Sequence, residues 1–134
     1  MFDGSEIQFP SREFLKKGWW APVHFMPHPD SPELFVVGVV SWNNSEFCSL
    51  SANSSKRIRC VFENSADTVM LAQNSAMQAL QQHMETAGPD HLADFEFGFS
   101  GISLGAVRAG EAKDAKALAK YWLNRISSLH HSSP

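Results

Sequence analysis

The stretch from Leu34 to Trp42, Leu-Phe-Val-Val-Gly-Val-Val-Ser-Trp, decides the fold class. Its apolar, mostly β-branched residues lack the polar–apolar alternation of a half-exposed strand, which predicts a central strand covered on both faces. The polar triplet at residues 43–45 then predicts a hairpin turn, and residues 47–51 predict the returning strand. The middle of the chain is therefore expected to form an antiparallel sheet.

Further strands are predicted on either side of this hairpin. Residues 19–25 have strand-like alternation, and Pro22, which has no amide hydrogen, indicates an edge position or a strand start. Alternation over residues 57–62 predicts a fourth strand with a basic outer face. Two more short strands are expected, at residues 95–99 and 102–107.

Two segments have the periodicity of amphipathic helices. The first follows Ser65, a predicted N-cap, and stops at Gly88-Pro89, and the second begins near Glu111. The apolar stripes are Val69, Ala72, Ala76, Leu80 and Met84 in the first helix and Ala115, Leu118, Trp122, Ile126 and Leu129 in the second. Each stripe needs a sheet to cover it. We therefore predict an α+β fold, an antiparallel sheet of about five or six strands whose order the sequence does not determine, with two helices packed on one face.

Length and composition restrict the class of protein. The 134 residues fit a single domain, with an N-terminal arm at residues 1–17, a core at 18–129 and a frayed tail at 130–134. A net charge of −3 argues against a dedicated nucleic-acid binder, and the presence of only 2 cysteines excludes a cystine-rich secreted scaffold. Neither a signal peptide nor a membrane span is apparent, so a cytoplasmic location with reduced Cys48 and Cys60 is expected.

Two stretches resemble a bacterial domain family of unknown function. They are HFMPHPDSPELFVVGVV at residues 24–40 and GISLGAVRAGEAKDAKALAKYWLNRI at residues 101–126. The first resembles the opening of the family, in which an extended segment, a proline-bearing turn and a glutamate precede a hydrophobic-Gly-Val-Val strand. The second resembles its closing strand and helix. The matching positions of the opening are Pro27, Pro29, Glu33, Val37, Gly38, Val39 and Val40.

Members of that family are often encoded beside, or fused to, HipA-like kinases, so the resemblance implies a protein partner. It extends from about Trp19 to Ile126, although the middle of the chain matches only in pattern. Two positions depart from the family, because His24 stands where arginine is usual and Val36 replaces an asparagine. A shared site that used those polar side chains would be altered or lost here, and the resemblance indicates a fold more than a chemistry.

The densest group of potential metal ligands follows the first predicted strand. It consists of His24, His28, Asp30 and Glu33. Imidazole nitrogens with carboxylate oxygens suit zinc or another divalent ion, which would support a small metal-dependent hydrolase or phosphotransfer enzyme. The alternative is a solvated turn, because no established metal-binding spacing is present. The sequence contains no recognisable catalytic constellation, and no cofactor is predicted.

Basic residues are distributed unevenly along the chain. If they share one face, they favour a nucleic-acid accessory domain, and the alternative is a solvated protein surface. The candidates for this basic patch are Arg57, Arg59, Lys113, Lys116 and Lys120.

Aromatic and methionine side chains form the third candidate site. Adjacent Trp19 and Trp20 point to opposite faces of a strand, so one is available to a partner unless the arm covers it. Met70, Met77 and Met84 recur every seven residues, which is typical of core packing or of a surface for a partner helix. The leading prediction is a non-enzymatic protein-interaction domain: an adaptor, antitoxin-like regulator or inhibitor of a bacterial or phage partner, or a homodimer.

Overall fold

The computed structural model describes residues 15–27, 33–97 and 101–130. Its strands are β1 (Lys16–Phe25), β2 (Phe35–Trp42), β3 (Phe47–Ser51), β4 (Ile102–Leu104) and β5 (Arg108–Ala112). They form a five-stranded antiparallel sheet in which β3 pairs with β2 and β2 with β1. The other side of β1 is shared by β4 and β5, which pair with its second and first halves respectively.

The predicted hairpin of β2 and β3 is confirmed. All residues of β2 from Val37 to Trp42 are buried, as the unbroken apolar run predicts. The turn is held by Asn43, whose side-chain oxygen accepts hydrogen bonds from the amides of Ser45 (2.9 Å) and Glu46 (3.0 Å). This local Asx hydrogen bonding is the reason why an Asn-rich triplet indicates a turn.

Pro22 lies inside the central strand, which corrects the prediction of an edge position or strand start. β5 pairs with β1 as far as Trp20, and β4 pairs from Val23 onward, so Pro22 lies at a break between the two partners. Its carbonyl oxygen accepts a hydrogen bond from Gly105 N (2.8 Å) in the connection between them. Because N and C=O of a strand residue point to the same side, the missing amide hydrogen faces the break and costs no regular ladder bond.

The helices of the described chain begin at polar caps. They are α1 (Ser55–Phe62), α2 (Ala66–Thr86) and α3 (Ala115–Ile126). The Ser54 hydroxyl caps α1 by accepting from Arg57 N (3.2 Å), and the Asp114 carboxylate caps α3 by accepting from Ala117 N (2.7 Å).

The long helix α2 has the predicted limits. Ser65 occupies its N-cap position, although the side chain makes no capping hydrogen bond. The helix ends just before Gly88, whose φ of 72° is the left-handed conformation that favours glycine. Pro89 then starts a 3₁₀ turn over Pro89–Asp94.

The helices pack against the sheet, which confirms the predicted α+β class, but they cover opposite faces rather than one. A Cβ added to Gly38 of β2 would meet the sulfur of Met77 in α2, whereas the Ser41 hydroxyl donates to the carbonyl of Ala115 in α3. Gly38 and Ser41 are three residues apart in a regular ladder, so they point to opposite faces. The apolar stripe of a helix predicts that the helix packs on a sheet, but it does not indicate on which face. The prediction that both helices share one face is therefore wrong.

Residues 57–62 belong to α1 instead of the predicted fourth strand. Ile58 is buried and Phe62 half-buried, and a spacing of four residues fits one face of a helix as well as one face of a strand. A run of this length is too short to distinguish the period of a helix from that of a strand. The cap at Ser54 is the local signal for a helix that the alternation obscured.

The last third of the chain also departs from the predictions. Residues 95–97 pair with no described strand, and residues 98–100 lie outside the described part of the chain. The strand predicted at 102–107 ends early and is followed by β5, which was not predicted. α3 begins at Ala115 rather than near Glu111, because Glu111 belongs to the β1–β5 ladder.

The hydrophobic core lies on both sides of β1 and β2. Its fully buried apolar side chains of largest volume are Ile58, Leu80, Leu123, Leu129, Val23, Val37, Val39 and Val40. Among the described residues, no helix combines the length and apolar character that crossing a bilayer requires.

Candidate functional site

Two concave regions lie on opposite faces of the sheet. The first, here named the aromatic cavity, lies on the α3 face and has a volume of 590 Å³. It is lined by Trp20, Pro22, His24, Val36, Ala106, Arg108, Ala109, Trp122 and Ile126. Small-molecule sites have volumes of about 300–1,000 Å³ and mostly apolar walls, so both size and lining fit such a site.

The break in the sheet beside Pro22 positions this cavity. The connection between β4 and β5 passes close to the strand there, and a Cβ added to Gly105 would lie 2.6 Å from His24 Cε1 and 2.7 Å from Pro22 Cγ. On the other side, α3 ends at Ile126, which also lines the cavity. The cavity therefore occupies the part of the sheet face where the ladder is interrupted and the covering helix stops.

Stacked indoles form one wall of the aromatic cavity. The ring centroids of Trp20 and Trp122 are 4.5 Å apart, with planes inclined by 14°. Trp20 is 3% exposed, and its indole nitrogen has no hydrogen-bond acceptor among the described residues. A buried N–H without an acceptor costs about 1–3 kcal/mol, so this donor is an unusual feature of the wall.

His24 and Arg108 are the ionisable side chains of the lining. Burial lowers the pKa of His24 below its ordinary value, because removal from water disfavours the imidazolium form. Arg108 is exposed at the first position of β5 and makes no ion pair with another described residue. None of the described lining residues has a carboxylate side chain. At neutral pH the lining thus has a positive charge and a neutral imidazole.

The second concave region, here named the polar groove, lies between β3 and α2 and has a volume of 740 Å³. It is lined by Ser49, Ser51, Asn74, Ser75, Met77, Gln78, Ala79, Gln81, Gln82 and Glu85. Across it the Ser49 hydroxyl donates to the side-chain oxygen of Gln81 (2.6 Å). Amides and hydroxyls dominate, so the groove offers hydrogen bonds rather than apolar surface.

β3 is an edge strand, and its outward backbone groups border the polar groove. Ala52 N donates to Val37 O (2.8 Å) in continuation of the β2–β3 ladder. Because antiparallel residues alternate between groups that point to the neighbouring strand and groups that point away, the N–H and C=O groups of Phe47, Ser49 and Ser51 point outward. Of the described residues, none pairs with these groups.

The two sheet edges differ in their protection against pairing. At the far edge, β4 has 3 residues, and β5 contains Arg108 and Glu111. Short length and charge are devices that discourage intermolecular strand pairing. β3 has neither, since it is 5 residues long and its sequence Phe-Cys-Ser-Leu-Ser contains no charge and no proline.

The predicted interface side chains lie mostly in the core. Trp20, Met77 and Met84 are buried, and Trp19 and Met70 are half-buried against the core. Met77 and Met84 thus belong to the hydrophobic core and Met70 packs partly against it, which is the packing alternative that the spacing left open. Of these five side chains, only Trp19 and Met70 are partly exposed in the described chain.

The predicted metal ligands are only partly described. His24 lines the aromatic cavity and Glu33 is exposed, whereas His28 and Asp30 lie outside the described residues. Within residues 15–27, 33–97 and 101–130, no group of three or more His, Cys, Asp or Glu side chains is arranged to hold a metal ion. The four-residue metal site stays a prediction.

The two arginines of the predicted basic patch each contact other residues of the chain. Arg57 donates to the carbonyls of Ser128 (3.3 Å) and His130 (2.9 Å), and Arg59 pairs with Asp67 (2.9 Å). Both therefore have partners within the chain.

The three predicted lysines lie elsewhere. Lys113 precedes α3, whereas Lys116 and Lys120 are exposed on it. Because α3 is 12 residues long, its start lies about 18 Å from its end, and the carbonyls that Arg57 contacts follow that end.

Comparison with protein families, curated proteins and solved structures finds no match to this chain. The resemblance to the family encoded beside HipA-like kinases therefore stays a prediction. The sequence reasoning grouped Arg108 with the basic residues near α3 without placing it at a cavity, and it missed the polar groove. Pro22 within a strand pattern was the available signal for the break, and the uncharged composition of residues 47–51 was the available signal for an unprotected edge.

Proposed function

We propose that this protein is a non-enzymatic interaction domain that binds an extended protein segment along β3. The observation that carries the proposal is the uncharged, unpaired outer edge of this strand beside the polar groove. Addition of a strand to an open sheet edge obtains affinity from backbone hydrogen bonds and specificity from neighbouring side-chain pockets. The proposal keeps the predicted function class and moves the interface away from the tryptophans and methionines.

The groove determines which side chains the bound segment would carry. The segment's residues that face α2 would contact Asn74, Gln78 and Gln82, whose side chains are exposed. Amide side chains satisfy polar groups on a ligand by both donating and accepting. A partner strand with Ser, Thr, Asn or Gln at alternate positions is therefore the best match on this side.

A second copy of the chain satisfies the same geometry. Two β3 strands that pair antiparallel about Ser49 would place Phe47 of one copy opposite Ser51 of the other and join two five-stranded sheets into one. A co-encoded protein partner, which the family resemblance implies, would use the same edge. The two occupants differ in whether the purified chain self-associates.

The experiment is a proline substitution at Ser49 with an alanine substitution at the same position as the matched control. Ser49→Pro removes an outward N–H at an edge, where proline is tolerated, and Ser49→Ala removes only the hydroxyl bond to Gln81. We expect Ser49→Pro to abolish the complex, measured as molar mass by light scattering on the purified chain and as co-purification from its own cells. Ser49→Ala should retain it.

Hydrogen exchange provides an independent measurement. The amides of Phe47, Ser49 and Ser51 should exchange rapidly in the isolated chain and slowly in the complex. A complex that survives Ser49→Pro, with these amides unprotected, would contradict binding at β3. A chain that stays monomeric and co-purifies with no protein would contradict the interaction function itself.

A further inference from the structure

We propose that the aromatic cavity on the α3 face is a binding site for a small, flat apolar molecule that bears a carboxylate or a similar anionic group. The site is separate from the edge of β3, because the two lie on opposite faces of the sheet and share no lining residue. It therefore does not depend on the proposed protein interaction, and each can fail without the other.

The walls indicate a flat apolar ligand. The indole of Trp122 and the side chains of Pro22, Val36 and Ile126 line the cavity together with Trp20. Aromatic rings prefer offset-stacked or edge-to-face contact with another ring, and such contacts add about 0.5–1.5 kcal/mol to the burial of apolar area. The existing stack of two indoles presents a rigid aromatic surface for this purpose.

The charges indicate an anion. Among the described residues that line the cavity, Arg108 is the only side chain with a permanent charge, and none is an Asp or Glu that could neutralise it. It is exposed and forms no ion pair with a described residue, so its guanidinium is available for a bidentate contact with a carboxylate. A cationic ligand would meet no counter-charge from the described residues of the lining.

Two further groups can accompany the anion. His24 is half-buried in the cavity, and the lowered pKa keeps its imidazole neutral, with one donor and one acceptor nitrogen. The indole N–H of Trp20 is buried without a described acceptor, which is a rare state for a donor in a protein interior. A ligand oxygen that reached this N–H after a small side-chain shift would relieve its unpaired state.

The experiment compares naphthoate with naphthamide, which have the same ring and differ in charge. Binding of each to the full chain is measured by calorimetry, and the shifts of the two cavity indole N–H signals in nitrogen–proton spectra report the location. We expect saturable binding of naphthoate with shifts at Trp20 and Trp122, and affinity for naphthamide about tenfold weaker.

The variants separate charge from shape. Arg108→Gln should weaken naphthoate binding about tenfold and leave naphthamide binding unchanged, because only the carboxylate uses the guanidinium. Ala106→Phe, at an exposed lining position, should weaken both ligands by filling the cavity. Arg125→Gln is the matched control, because Arg125 is an exposed arginine of α3 that does not line the cavity and packs over the ring of Tyr121.

Three results would overturn the inference. They are the absence of saturable naphthoate binding below about 1 mM, equal affinity for the acid and the amide, and an Arg125→Gln effect as large as that of Arg108→Gln. Ser49→Pro should leave the naphthoate affinity unchanged even where it abolishes self-association or partner binding. This result would distinguish the cavity from the edge of β3.

Discussion

The polar groove and the aromatic cavity lie on opposite faces of one sheet and differ in chemistry. α2 has 21 residues and presents hydroxyls and amides beside an edge strand, whereas α3 has 12 residues and ends over a break beside the central strand. At 1.5 Å per residue these helices are about 31 Å and 18 Å long. The longer helix leaves a polar groove along the edge strand, and the shorter one leaves an apolar cavity beside the central strand. Helix length and ladder continuity thus determine what each face can bind.

The two helices are also attached to the sheet in different ways. The buried amide of Gln73 in α2 donates to the carbonyls of Val37 (2.8 Å) and Ala52 (2.9 Å) at the end of the β2–β3 hairpin. α3 is held at its two ends instead, by the hydroxyls of Ser41 and Ser127, with Ser127 donating to Val36 O (2.6 Å). Its middle contacts the sheet through apolar and aromatic side chains.

The largest expected effect tests the aromatic face. Trp20→Ala removes a side chain that is 3% exposed, together with the stack on Trp122, and should lower the free energy of unfolding by about 3–5 kcal/mol. Urea denaturation followed by far-ultraviolet circular dichroism measures the change. Trp122→Ala should cost less, because that indole is only half-buried. Equal losses in the two variants would contradict the view that Trp20 is the main apolar contact of this face.

The next effect tests the polar attachment of the other face. Gln73→Leu leaves the buried carbonyl of Ala52 without this donor and the carbonyl of Val37 with Ala52 N alone, and it should lower the unfolding free energy by about 1–2 kcal/mol. Gln78→Leu, at an exposed position of the same helix, serves as the control and should change it by less than about 0.5 kcal/mol. Stability of Gln73→Leu equal to that of the parent would show that apolar packing alone attaches α2.

The comparison of the two faces also separates what could be predicted from what could not. The unbroken apolar run of β2 predicted burial on both faces, and this burial requires helices on both. The one-face arrangement thus conflicted with an expectation drawn from the same sequence. The helical period and end signals predicted α2, and the apolar run with its polar turn predicted the hairpin, because these features depend on residues close in sequence.

The concave regions depend on long-range pairing, which local patterns do not contain. The aromatic cavity joins β1, β2, the β4–β5 connection, β5 and α3, and the chain separates Trp20 from Trp122 by about a hundred residues. Pro22 indicated an interrupted ladder, yet whether the interruption lies at an edge or at the centre depends on which strands come later. The edge position of β3 likewise follows only from the complete strand order.

A smaller effect concerns the pH dependence of the aromatic face. Burial lowers the pKa of His24 in the folded chain, so the unfolded chain, with a pKa near 6.5, binds the proton first as pH falls. The contribution of neutral His24 to stability is therefore complete well above pH 6.5 and is lost as pH falls through the folded-state pKa. Unfolding free energies from urea titrations at neutral and mildly acidic pH should fall more steeply in the parent than in His24→Gln. Parallel pH profiles would contradict the burial of the imidazole.

The smallest expected effect compares two arginines of α1. Arg59 forms an ion pair with Asp67 in which both side chains are more than half exposed, so Arg59→Gln should lower the unfolding free energy by less than about 0.5 kcal/mol. Arg57 donates to two carbonyls that follow α3, so Arg57→Gln should cost about 1 kcal/mol. Urea titrations at low and high salt measure both, and added salt should further reduce the Arg59 effect. Because α1 adjoins α2 in sequence and Arg57 reaches past the end of α3, a larger cost at Arg57 would show that this contact links the helices of the two faces. A larger cost at Arg59 would contradict that link.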